Sequence, residues 1–197
     1  MCVATLPNYW PAWRGVTMIL SMETTNRPVA VLVLSGAVGS GKSTIGRFVA
    51  TRLREANVSH ALVDHEWMGY CWPVPADDRW NEQVAAQNLA CAWSNFRAAG
   101  AERLIFCRVL ESRSVLGHVR HAVPDAVVTV VQLRAPLGVI QQRLRAREPE
   151  PAWYLDVATE LAPRMDRGNV ADFIVDNGER HPDEVAGDVL RLVRWLV

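Results

Sequence analysis

Lysine is nearly absent from this chain of 197 residues. Of its 21 basic side chains only Lys42 is a lysine; the others are arginines. That scarcity excludes a guanine-reading Asn-Lys-x-Asp motif. Net charge is missing too: 21 acidic groups balance the basic ones, so no general field draws the chain to nucleic acid or to an anionic membrane. The four cysteines, Cys2, Cys71, Cys91 and Cys107, form no C-x-x-C pair and read as packed free thiols in a reducing cytoplasm. No apolar run is long enough to span a bilayer. There is no internal repeat and no low-complexity segment. Residues 1–28 include Trp10 and Trp13 but lack the cationic start, apolar stretch and cleavage site of a signal peptide. They read as an amino-terminal extension of open role, and residues 29–197 as one domain. Half the residues are hydrophobic and 21% are charged, an ordinary globular balance.

The one lysine stands in Gly36-Ala37-Val38-Gly39-Ser40-Gly41-Lys42-Ser43-Thr44, which fits the phosphate-binding pattern G-x-x-x-x-G-K-[ST]. A compact ammonium on a flexible stem suits this position better than a guanidinium fork. Before it, Val29-Ala30-Val31-Leu32-Val33-Leu34-Ser35 is a β-branched run expected to form a strand buried on both faces. After it, Ile45, Phe48, Val49 and Leu53 fall at helical spacing. Strand, glycine loop and helix together aim backbone N–H groups and the positive end of a helix dipole at phosphates. Gly36, Gly39 and Gly41 let the loop curl without a Cβ penalty. Lys42 is expected to reach the β- and γ-phosphates and Ser43 to hold Mg²⁺.

Beyond Pro28, strands and helices alternate, which predicts a parallel sheet covered on both faces. Residues 60–64, 103–110, 126–133 and 171–176 read as strands two to five. A helical stretch covers 78–99, with Val84, Leu89, Ala92 and Phe96 near one side. Ser112 offers a cap for a helix to about His121. Pro136 fits the first turn of a helix reaching about Arg147. The prolines and acids of 148–151 mark a loop, and a short helix is expected over 153–165. Asn177-Gly178 is a turn, and the last helix carries Val185, Val189, Leu192, Val193 and Leu196 on one face.

Five strands, a P-loop after the first and the segment Arg143-Leu144-Arg145-Ala146-Arg147 after the fourth make residues 29–197 resemble the small P-loop kinases. These are the adenylylsulfate, gluconate and shikimate kinase group, related to nucleoside monophosphate kinases. The resemblance also touches Asp64 after strand two and Asp172-Phe173-Ile174-Val175-Asp176-Asn177 at strand five. Asp64-His65-Glu66 matches the two acids separated by one residue of adenylylsulfate kinases. The implied fold is α/β: a three-layer P-loop NTPase fold with a five-stranded parallel sheet, helices on both faces and a short Arg-rich lid. The implied cofactors are ATP and Mg²⁺, and the implied partner is a small-molecule acceptor.

The acceptor should lie outside the carboxyl ends of the strands. Asp64 stands there, able to take a hydroxyl proton, to orient the acceptor, or simply to cap a helix. Glu66 is a candidate for Mg²⁺ through water, or a first-turn acid favoured by the helix dipole. Glu111 follows strand three, where the resembled kinases carry an acid that orders Mg²⁺ waters. Arg108 in an apolar strand needs an anionic partner, either an acceptor group or a neighbouring acid. Arg143 and Arg147 share a helix face, and the resemblance implies that they close over ATP, with Arg145 on the solvated side. Asn177 begins the loop that, by resemblance, lies against adenine. Trp67, Met68, Tyr70, Trp72 and Trp80 form an aromatic segment suited to walling an acceptor or to covering the core. Gln87 and Asn88 are candidate partners for an acceptor hydroxyl.

These residues point to an ATP-dependent small-molecule kinase that transfers the γ-phosphate to a hydroxyl or phosphate-like acceptor. Two alternatives fit the same motifs. One is an antibiotic-modifying phosphotransferase of the chloramphenicol phosphotransferase type. The other is a nucleotide-binding sensor without an acceptor.

Overall fold

The computed structural model describes residues 28–78, 80–146 and 153–196. The expected amino-terminal extension, the loop at 148–151 and Arg147 lie outside the described residues. Strand β1 (Val29–Ser35) leads through the glycine loop into helix α1 (Lys42–Glu55). Strand β2 (Ala61–Asp64), the single-turn α2 (His65–Met68) and α3 (Glu82–Ala98) follow. Then come β3 (Arg103–Cys107), a 3₁₀ turn at Arg113–Val115, α4 (Leu116–Ala122) and β4 (Ala126–Arg134). The remaining elements are α5 (Leu137–Arg145), α6 (Trp153–Arg167), β5 (Phe173–Asp176) and α7 (Pro182–Leu192).

The five strands form one parallel sheet in the order β2-β3-β1-β4-β5. The P-loop strand is therefore central, and every strand delivers its carboxyl end to the same edge. Strand β1 is buried on both faces, as its β-branched run predicts. Val29, Val31 and Val33 point to the layer holding Leu89 and Trp93 of α3 and Leu116 and Val119 of α4. Leu32 and Leu34 point to the opposite layer, against Ile45, Val49 and Leu53 of α1 and Val185 and Val189 of α7. A third cluster joins Ala37 and Val38 of the loop to Ile140 and Leu144 of α5 and to Ala158, Leu161 and Met165 of α6. Each fully buried aliphatic side chain is worth about 1.5–3 kcal/mol, so the loop is anchored by apolar packing as well as by its backbone. No helix among the described residues is long and apolar enough to cross a membrane.

Several boundaries differ from the sequence expectations, and local polar groups explain them. The helix after the aromatic segment starts at Glu82 rather than 78, because Asp78 accepts the N–H groups of Glu82 at 2.7 Å and Gln83 at 2.8 Å. Its buried stripe is Ala85, Leu89 and Trp93, so Val84 and Ala92 lie beside the stripe rather than on it. Strand β3 stops at Cys107, which leaves Arg108, Val109 and Leu110 outside the strand. Strand β5 begins at Phe173 rather than 171, because the Asp172 carboxylate accepts the Val130 N–H at 2.8 Å where strand backbone would otherwise pair. Pro136 caps α5 from outside instead of occupying its first turn, and the helix ends at Arg145. Helix α7 ends at Leu192, two turns' worth of apolar residues being split by the bend at Arg194 (φ 56°). There the Arg194 N–H meets the Arg191 carbonyl and the Trp195 N–H meets the Leu190 carbonyl, a Schellman closure that tucks Val193 and Leu196 onto the core.

Candidate active site

The glycine loop opens α1 at the carboxyl end of β1. Gly41 holds φ at 98°, and a Cβ there would meet Asn177 Nδ2 at 2.5 Å. Gly36 holds φ at 145°, with a Cβ position 2.6 Å from the Leu133 carbonyl. Both positions therefore demand glycine on two counts, backbone angle and space. The Ser40 hydroxyl is fully buried and meets no protein hydrogen-bond partner. The glycine loop at the amino end of α1 presents backbone N–H groups and the positive end of the helix dipole, a setting that suits a phosphate. The Lys42 ammonium bonds the carbonyls of Gly36 at 3.0 Å and Ala37 at 3.1 Å, which keeps it over the loop that it serves.

On one flank the loop is tied to β5. Asn177 is buried, and its amide donates to the Ser40 carbonyl at 2.6 Å. Arg143 of α5 donates to the carbonyls of Asn177 at 3.0 Å and Gly178 at 2.6 Å. Loop, lid helix and the turn after β5 are thus one bonded unit. Arg145 is exposed, on the solvated side.

On the other flank stands Asp64. One carboxylate oxygen accepts the Glu66 N–H at 3.2 Å and so caps α2. The other accepts the Ser43 hydroxyl in a very short contact. Two oxygen-bearing side chains 21 positions apart in sequence are therefore adjacent at the start of α1. Glu66 is exposed. Behind them, burial pushes the Cys107 thiol up to about 12, with the nearby Asp64 charge adding to the effect. It stays a neutral packing group whose sulfur donates to the Lys42 carbonyl.

Three solved structures share this arrangement of elements. A sugar kinase from Janibacter sp. HTCC2649 matches at a TM-score of 0.61 and 22% identity, covering 85% of this chain and 95% of its own. The tunicamycin resistance protein of Deinococcus radiodurans matches at 0.62 and 20%, covering 85% and 96%. The adenylylsulfate kinase of Mycobacterium tuberculosis, solved with a non-hydrolysable ATP analogue and adenylylsulfate, matches at 0.59 and 20%, covering 85% and 99%. This chain has the fold of the small P-loop kinases. No protein-family model and no curated protein sequence matches it.

Within that small P-loop kinase fold, the edge beyond β2 and β3 holds a polar cluster that sequence reading half anticipated. Arg108 is buried just past β3, with one guanidinium nitrogen 3.1 Å from each carboxylate oxygen of Glu82 and its Nε on the Val109 carbonyl. His65 Nε2 lies 3.4 Å from the same carboxylate. Burial works against ionisation of Glu82, but the hydrogen bond from His65 and the charge of Arg108 outweigh it and bring the carboxyl down to about 2. The anionic partner that Arg108 requires is thus a residue of α3. Glu111 pairs with Arg164 of α6 at 2.6 Å. Asn88 donates to the Met68 carbonyl at 2.7 Å, holding α2 to α3, and Gln87 is exposed. Trp67, at 75% exposure, leans on Tyr70 at a ring distance of 6.1 Å, and Trp72 and Trp80 are exposed as well. Sequence reasoning missed Glu82 and His65 as members of this cluster. The only available signal was the lone arginine among apolar residues.

Proposed function

We propose that this chain is an ATP-dependent kinase of a small molecule. The observation that carries the reading is the meeting of Ser43 and Asp64 at the mouth of a phosphate cradle whose lysine is already in place. The loop N–H groups and Lys42 would hold the triphosphate, and Ser43 would hold Mg²⁺. When bound, the metal neutralises charge that builds on the transferred phosphoryl group. Asn177, Gly178 and Arg143 bound the side of the cradle where an adenine fits. Arg143, fixed to that turn, couples closure of the lid helix to occupancy of the nucleotide side. Asp64 faces the acceptor edge, where it accepts the proton of an attacking hydroxyl or fixes that hydroxyl's direction. Arg147 belongs to the same lid segment by its place in the sequence and adds positive charge there. The free thiols Cys71, Cys91 and Cys107 suit a reducing cytoplasm.

A second reading, phosphorylation of an antibiotic, is favoured by one observation. The acceptor edge carries the exposed aromatics Trp67, Tyr70, Trp72 and Trp80, and a tunicamycin resistance protein shares the fold.

The test is ADP release from Mg²⁺-ATP with a panel of hydroxylated acceptors. One acceptor is expected to raise release well above background, and Lys42→Ala to reduce that turnover by roughly 10²–10³-fold. ATP binding with a flat panel would support the nucleotide sensor instead.

A further inference from the structure

Asp64 stands at the start of a helix too short to hold itself. Helix α2 spans His65–Met68 and is closed by the Gly69 N–H on the His65 carbonyl at 3.3 Å. A single turn fixes several dihedrals for one hydrogen bond and is unfavourable alone. Side chains of α3 and of the residue before it supply ties. At the far end of α2, Asn88 donates to the Met68 carbonyl at 2.7 Å and Asn81 to the Gly69 carbonyl at 2.8 Å. At the near end the tie is the His65 ring. It stands edge-on to Phe106 of β3, with centroids 5.8 Å apart and planes at 72°. Its Nε2 lies 3.4 Å from the Glu82 carboxylate.

Glu82 is itself fixed, since the buried Arg108 meets both of its oxygens at 3.1 Å. With its carboxyl brought down to about 2, Glu82 is ionised at neutral pH and only accepts hydrogen bonds. The Nε2 of His65 therefore carries a proton and donates, whether the ring is neutral or charged. The effect is passed to the preceding residue. In the turn that His65 begins, the Glu66 N–H donates to one oxygen of Asp64 at 3.2 Å, and the other oxygen meets the Ser43 hydroxyl. The terminal torsion of an aspartate is broad and roughly two-fold, so an aimed cap bond selects its direction. The direction of that N–H is set by the start of α2, where the His65 ring is clamped.

We propose that His65 is a positioning residue: by donating to Glu82 it aims the Glu66 N–H and so holds the Asp64 carboxylate towards Ser43. His65 acts through Asp64 and does not touch the reacting atoms. Its effect on phosphoryl transfer rests on the kinase reading above, whereas its effect on the orientation of Asp64 does not.

The experiment uses the full chain, labelled with ¹⁵N. His65→Phe keeps a ring edge for Phe106 and removes the donor, and His65→Leu is a second donorless variant should the first not fold. His65→Gln returns a donor nitrogen near the place of Nε2. The amide signal of Glu66 reports the cap bond, and Asp64→Ala marks its uncapped position. His65→Phe is expected to move the signal most of the way to that position and His65→Gln to bring it back. Transfer is followed by ADP release from Mg²⁺-ATP with gluconate, shikimate and uridine as acceptors. His65→Phe should lower kcat by roughly 10–10²-fold with a nucleotide Kd within about twofold. In an Asp64→Asn background it should add no further loss, because the two residues act as one unit. A Glu66 signal unmoved in the donorless variants would overturn the proposal. So would full additivity with Asp64→Asn, or no recovery in His65→Gln, since either would leave His65 a packing role alone. A Glu66 signal that moves and recovers, with no ADP released for any of the three acceptors, would uphold the positioning and count against the kinase reading.

Discussion

The two flanks of the P-loop are built by different means. On the β4–β5 side, contacts run through backbone carbonyls: Asn177 to Ser40, and Arg143 to Asn177 and Gly178. On the β2–β3 side, side-chain pairs are prominent as well, Asp64 with Ser43 and Glu82 with Arg108 and His65. A flank bound through the main chain tolerates change in side chains not directly involved and holds one shape. A flank bound through ion pairs is set by a few identities, so it can be re-specified by single substitutions. That division suits an enzyme with a fixed donor and a variable acceptor.

The largest effect that separates the flanks is expected at Asp64. Asp64→Asn should lower kcat by roughly 10²–10⁴-fold while nucleotide affinity changes only a few-fold. A comparable loss of nucleotide affinity, read by titration, would move Asp64 to the donor side. Next comes Glu82→Gln, which leaves the buried Arg108 without its counter-charge and should cost about 3 kcal/mol in urea unfolding at neutral pH. Because Glu82 sits at about 2, below the ordinary carboxylate value of 4.5, its ionised form is favoured in the folded state. Its stabilisation is therefore complete above about pH 5 and is lost as pH falls toward 2. The gap between wild type and Glu82→Gln should close over that window, and a gap that persists at low pH would assign the loss to packing. Asn177→Ala removes a buried donor from the Ser40 carbonyl, with an expected cost of about 1–3 kcal/mol in the same unfolding assay, together with weaker ATP binding. The smallest stability effect belongs to Trp67→Ala, within about 0.5 kcal/mol since the ring is mostly exposed. Its signature is a raised acceptor KM with an unchanged nucleotide Kd.

The contrast between flanks also decides what was legible in the sequence. The loop, its strand and its helix were readable because their chemistry is local: glycines at fixed offsets, a β-branched run before them and an apolar helical stripe after them. The parallel sheet followed from the alternation of strands and helices. The errors cluster where a side chain replaces a backbone partner. Asp172 enters the strand ladder and shortens β5, and Asp78 supplies the helix cap that delays α3. Arg108 announced that it needed an anion, but its partner Glu82 lies 26 residues earlier in sequence. Finding that partner requires knowing that the amino terminus of α3 docks over the end of β3. The choice between wall and cover for the aromatic segment was likewise a question of exposure, which periodicity does not carry through an irregular stretch.

One consequence of the single lysine concerns chemistry done to the protein rather than by it. Lys42 is the chain's sole side-chain amine, and its nitrogen rests on the Gly36 and Ala37 carbonyls. Any acylating or alkylating reagent selective for side-chain amines therefore has one address, inside the nucleotide cradle. The mass added at Lys42, with and without ATP, makes the protein its own occupancy gauge, with no engineered tag and no competing background from the surface.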